Sequence, residues 1–206
     1  MYKKQPKLLS DDQKKVLINA LPILIETLDI YDPVVSEMCE KYFVEAARQN
    51  ESGELTTHLN GSYAEEFDFR HGADTVMGTL GQYLVHACYA REGYRVEIMT
   101  NRESQRNEMD LKLHRTDEVP QYSSVKNNYL RANGTIRLGA DYFRNVGPQV
   151  NFIDFADLNV CEVYHFHIDD IADYFFYNRN PANDNDYIYK RLIDLPEHKV
   201  FTLWPQ

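Results

Sequence analysis

Apolar residues recur at helical spacing in three stretches of the first half of the chain, and at alternate positions in short runs of the second half. Ser10 followed by Gln13 has the form of a capping box. Val16, Leu17, Ala20, Leu21, Leu24, Ile25 and Leu28 then make one stripe, which Pro22 interrupts; a kink or two short helices are predicted there. Asp32-Pro33 supplies a cap and a first-turn proline for a second helix. Its inward face is predicted to be Val34, Val35, Met38, Cys39, Tyr42, Phe43, Ala46 and Ala47, and its end to fall near Asn50. Residues 50–70 are polar, contain glycine and read as loop. A third helix is expected from about Asp74 to Arg91, with Val76, Leu80, Leu84, Ala87 and Cys88 inward and Gly93 placed to stop it. Gly78 and Gly81 lower its intrinsic stability, which predicts close packing against a neighbour.

Strand signals follow at 94–99, 108–114 and 121–129. Asn133-Gly134 is a turn signal, and 135–138 fits either a return strand or the start of a short helix. Residues 160–168 alternate as a strand, 181–186 read as loop, 187–193 as a helix and 199–204 as a final strand. Neither an internal repeat nor a low-complexity tract is present. The order predicts an α/β or α+β fold, a mixed central β-sheet flanked by helices. A helical region over 1–52 would extend an α/β core over 53–206, together one domain.

Composition narrows this picture. With 206 residues the chain is long enough for a full core, and 15 Tyr and 10 Phe fit a globular protein. A formal net charge of -10 argues against a protein that coats nucleic acid non-specifically. It leaves room for a local basic groove, because the field that matters is the one at the site. Cys39, Cys88 and Cys161 show no metal-ligand spacing, and the first two fall in apolar helical runs, so an intracellular, cytoplasmic, reduced setting is expected. No apolar run approaches membrane length.

The most informative chemistry is a pair. Asp110 lies in Glu108-Met109-Asp110-Leu111-Lys112-Leu113, and Lys126 in Tyr122-Ser123-Ser124-Val125-Lys126. Alternation puts Glu108, Asp110 and Lys112 on one face of the first run, with Met109, Leu111 and Leu113 toward a core. On the second run Tyr122, Ser124 and Lys126 share a face. If the strands are neighbours, a hard oxygen ligand for Mg²⁺ and a lysine meet at one end of a sheet. Such a metal lowers the pKa of bound water, and a lysine beside it orients or deprotonates that water.

Asp110-Leu111-Lys112-Leu113 followed by Ser124-Val125-Lys126, after an amphipathic helix and within three successive strands, resembles the PD-(D/E)XK nuclease superfamily over about residues 70–170. That resemblance implies a restriction-endonuclease-like core, Mg²⁺ (or Mn²⁺) as cofactor, DNA as substrate and a homodimer as the cutting unit. It also implies Asp110 as a metal ligand, Lys126 as the catalytic lysine and the Val125 carbonyl as a further metal oxygen. Two positions depart from the pattern: Met109 stands where proline is usual, and Ser124 where the second acid is expected. Serine occurs there in a subset of restriction-type members that recruit the acid from a later segment. Asp141 fits that role, with Asp74, Glu65 and Glu66 as the other candidates and a helix cap as the competing use of Asp141. Ser124 itself stands at the site as a strand residue, since no partner arrangement would activate it as a nucleophile.

Arg102, Arg106, Asn127, Asn128, Arg131, Asn133, Arg137 and Arg144 surround the pair, residue types suited to phosphates and base edges or, individually, to a solvated loop. Between 127 and 150 the basic residues Arg131, Arg137 and Arg144 face Asp141 alone, which favours a DNA groove. His165 and His167 would share a strand face at metal-capable spacing, but no third ligand is evident. The leading expectation is therefore a restriction-type, Mg²⁺-dependent DNA endonuclease. Its alternatives are a catalytically inactive DNA- or protein-binding module on the same fold, and an acidic DNA mimic.

Overall fold

The computed structural model describes residues 7–53, 55, 72–99, 110–127, 135–139, 149–154, 162–167, 176–180, 185–191 and 199–202; beyond residue 126 its side chains are described only at 153 and 163–166. Among the described residues three helices come first: α1 (Asp11–Tyr31), α2 (Pro33–Glu51) and α3 (Ala73–Arg91). Nine strands follow among them: β1 (Arg95–Ile98), β2 (Leu111–His114), β3 (Gln121–Asn127), β4 (Thr135–Gly139), β5 (Gln149–Asp154), β6 (Glu162–His167), β7 (Phe176–Asn180), β8 (Asn185–Arg191) and β9 (Lys199–Thr202).

Local chemistry starts the helices where the sequence says it should. The Ser10 hydroxyl accepts from the Gln13 amide, and Gln13 accepts from the Ser10 amide, so both arms of the capping box are made. Asp32 closes α1 and caps α2, with Pro33 in the first turn. Pro22 does not divide α1, which runs unbroken through it. Pro22 and Ile18 both face solvent, so water can take the Ile18 carbonyl that the proline leaves without a donor. Three of the residues expected on the inward face of α2 face solvent instead: Val34, 71% exposed, Met38, 47% exposed, and Ala47.

Helix α3 is buried nearly all round, as an interior helix must be if it is apolar on every side. One buried cluster joins α1, α2 and α3 to Val96, Leu111, Leu113, Ile153 and Val163 of the sheet. Close packing does not explain Gly78, because among the described residues a Cβ there would meet nothing within 4 Å. Gly72 is different. Its φ of +60° suits glycine, and a Cβ would press on the Lys7 carbonyl, which accepts from Ala73 at 2.7 Å.

The larger sheet has six strands in the order β1-β2-β3-β5-β6-β9. Strands β1, β2 and β3 form an antiparallel meander, β3 and β5 run parallel, and the remaining neighbours are antiparallel. Strands β4, β8 and β7 make a second, antiparallel sheet of three. The fold is α+β. Residues 135–139 resolve as a strand, and the helix expected over 187–193 is instead β8, paired on both sides. Tyr187, Ile188 and Tyr189 suit a strand as well as a helix, and ladder partners on two flanks decide the matter. Strands β5 and β7 had no sequence expectation at all.

Candidate active site at the start of β2

Registry brings Asp110 and the 124–126 segment together. Leu111 pairs with Ser123 and Lys112 with Tyr122, so Asp110, just before β2, lies beside Ser124. Leu111 and Leu113 are fully buried against α3, as alternation requires, while Lys112 is half-buried and faces Glu97 across the β1–β2 pair. Beyond Ser123 the ladder loses β2 while β3 continues beside β5. The Val125 N–H points into that gap, and a buried N–H without an acceptor is costly.

Asp110 fills the gap. Its Oδ2 accepts from the Val125 N–H at 2.7 Å and from the Ser124 hydroxyl at 2.9 Å. Its Oδ1 accepts from Nε2 of Gln82 on α3 at 3.1 Å. The Asp110 main chain is tied as well, its N–H to the Ser123 carbonyl and its carbonyl to the Met99 N–H. Ser124 is fully buried, and Lys126 follows two positions later on the same face of β3, half-buried. At strand rise that is about 6–7 Å along the chain, a separation a lysine side chain spans.

The hydroxyl of Ser124 donates to Asp110. For Val125 the N–H is what touches Asp110. Asp74 is held at the first turn of α3 by Lys7, at 2.6 and 2.7 Å. It precedes Gln82 by about 12 Å of helix rise. Asn127 ends β3 opposite Ile153, and Arg137 lies in β4 of the smaller sheet opposite Tyr189. Arg102, Arg106, Asn128, Arg131, Asn133, Asp141, Arg144, Glu65 and Glu66 lie outside the described residues. His165 does not present a spare nitrogen for metal at Nδ1, which bonds the Tyr89 hydroxyl at 2.7 Å.

Gln82 had no place in the sequence reading. Its signal was there: from Leu80 to Ala90 the helix is apolar or aromatic except at Gln82 and His86. A strongly polar side chain on an interior helix has to find a partner. His86 finds Asp32, with Nε2 and Oδ2 3.0 Å apart, and Gln82 finds Asp110.

Asp110 suits Mg²⁺ in kind, being a hard oxygen ligand, but a shell of about six oxygens usually draws on more than one acid. Among the described residues no group of three or more His, Cys, Asp or Glu is gathered for a metal. The sequence candidates Asp141, Glu65 and Glu66 for a second carboxylate lie outside the described residues. Compared with models of protein families, with curated proteins and with solved structures, the chain matches none. No described helix is long and apolar enough to cross a membrane.

Proposed function

We propose that this chain is a Mg²⁺-dependent DNA endonuclease of restriction type that acts as a homodimer. The carrying observation is the convergence of Asp110 with Ser124 and Val125 at the end of an antiparallel meander whose third strand runs parallel to the next. This order of strands and this position for the acid agree with the resemblance in the sequence. In this reading Asp110 holds the ion, with Asp141 as the second acid. Lys126 lies on the Ser124 face to orient or deprotonate the attacking water. Magnesium, when bound, supplies a water of lowered pKa and stabilises charge on the phosphate. Ser124 and Val125 keep the Asp110 carboxylate in place from below. A double-strand cut requires two such sites, which a two-fold dimer provides.

One observation favours a second reading. Asp110 already serves three protein donors, a complete structural use for a carboxylate in a strand gap. On that view the fold binds DNA or protein without cutting.

Incubation with supercoiled plasmid and duplex oligonucleotides in Mg²⁺ or Mn²⁺ separates the two. Nicked or linear product, lost in Asp110→Asn and in Lys126→Met, is the expected result. Retention of DNA without cleavage at excess protein establishes the second reading. Neither binding nor cutting of DNA at low salt, where phosphate contacts are strongest, removes the endonuclease and the DNA-binding form of the second reading.

A further inference from the structure

We propose that Gln82 is a positioning residue for Asp110: its side-chain amide fixes the plane of the carboxylate that the reaction uses. The inference rests on the endonuclease reading. An aspartate carboxylate turns about a broad, two-fold χ2 well, so its torsion is weakly set by local sterics. The Ser124 hydroxyl and the Val125 N–H both address Oδ2 and hold that atom in place. Both of those bonds come from β3 and restrain the carboxylate from one side. The bond from Gln82 Nε2 to Oδ1 restrains it from α3 as well. The three donors come from α3, from the β3 backbone and from a β3 side chain, so tilting the helix against the sheet would turn the carboxylate.

The placement of Gln82 supports a specific use. It is half-buried at the margin of an interior helix whose neighbours Leu80, Gly81, Tyr83 and Leu84 are buried. His86, one turn further on, bonds Asp32 in the same manner, so α3 reaches an aspartate on another element from each of the two strongly polar positions between Leu80 and Ala90. The Gln82 amide carries the donor needed here, and neither a shorter nor an acidic side chain replaces it. Asparagine falls a methylene short. Glutamate sets a second carboxylate against Asp110, and like charges at that range repel unless a cation lies between them.

The test uses wild type, Gln82→Met and Gln82→Glu. Magnesium binding is followed by calorimetry, plasmid cleavage by kcat and KM separately, and folding by circular dichroism and urea midpoint. Gln82→Met keeps the length of the side chain and loses the donor. It is expected to fold, to weaken Mg²⁺ binding and lower kcat by about tenfold or more, as loss of an orienting partner does, and to leave KM for DNA unchanged. Gln82→Glu is expected to melt lower than wild type without Mg²⁺ and to gain more from added Mg²⁺. That readout stands even if Gln82→Met fails to fold. Wild-type Mg²⁺ affinity and kcat in Gln82→Met, or an unaltered Mg²⁺ response in Gln82→Glu, overturn the role of Gln82 alone. A wild-type protein that neither binds Mg²⁺ nor cuts overturns the endonuclease reading, and this inference with it.

Discussion

Asp32 and Asp110 do similar work in two unlike regions. Asp32 sits between α1 and α2, where one oxygen accepts from the Val35 N–H at 3.3 Å and the other meets His86 Nε2 at 3.0 Å. Asp110 sits before β2, where one oxygen meets Gln82 and the other serves Val125 and Ser124. Each carboxylate closes the exposed end of an element and ties it to α3. The helical junction is fully accounted for by capping and by the need to partner a buried histidine. The strand gap has the same structural account, and in addition a lysine two positions along the same strand face. A half-buried, hydrogen-bonded aspartate is therefore weak testimony for catalysis in this protein. What distinguishes Asp110 is its company on β3.

The comparison breaks most sharply at Asp32. Asp32→Ala removes a helix cap and strands His86, whose Nδ1 already has no partner among the described residues. About 2–4 kcal/mol of stability should be lost, the sum of a cap and an unpaired buried group, seen as a lower urea midpoint. A loss under about 1 kcal/mol would mean that water replaces the carboxylate.

Asp110→Ala should cost somewhat less, about 2–3 kcal/mol, because Val125, Ser124 and Gln82 lose one shared acceptor. The alanine variant is thus not a clean probe of catalysis. Asp110→Asn keeps an oxygen for Val125 and Ser124, and Gln82 can turn its own oxygen toward the new amide. It should stay within about 1 kcal/mol of wild type in the same denaturation experiment while losing the negative charge. Equal destabilisation by the two variants would show that charge, rather than hydrogen bonding, holds the strand end.

The third test is pH. Burial holds the His86 pKa below its ordinary value of 6.5, against the opposing pull of Asp32. The carboxylate accepts from Nε2–H, so a second proton would enter at Nδ1, where no described acceptor waits. Between the lowered and the ordinary value the unfolded chain binds the proton and the folded chain does not. The histidine's contribution is therefore complete above about pH 6.5 and is lost as pH falls below it, by at most about 1.4 kcal/mol per pH unit. His86→Leu should flatten that part of a stability–pH curve. An unchanged slope would assign the acid sensitivity to other groups.

The smallest effect is expected at Gly78, where a Cβ would meet no described atom within 4 Å. Gly78→Ala should stabilise by about 0.5–1 kcal/mol through helix propensity, raising the melting temperature. A loss would show that an unseen neighbour needs the gap. Cys39 provides a control for dryness: burial pushes its thiol up to about 12, so alkylation at neutral pH should await unfolding.

The helices were legible because their determinants are local. Ser10 and Gln13, Asp32 and Pro33, and the stripe from Val76 to Cys88 each act within a few residues of one another. The first three strands were legible for a related reason, since alternation at Leu111 and Leu113 marks one face whatever the partner is. Strands β5 and β7 were missed and β8 was read as a helix because such segments take their state from distant ladder partners. At the site, the sequence determined the residue types and their spacing: an acid before β2, then Ser124, Val125 and Lys126 on β3. Only the tertiary structure decided that β2 stops one residue short of Ser124, that the Val125 N–H turns to Asp110, and that Gln82 closes the set from α3. Spacing along a chain is covalent and can be read directly; the meeting of a helix with a strand end depends on packing, which no local pattern encodes.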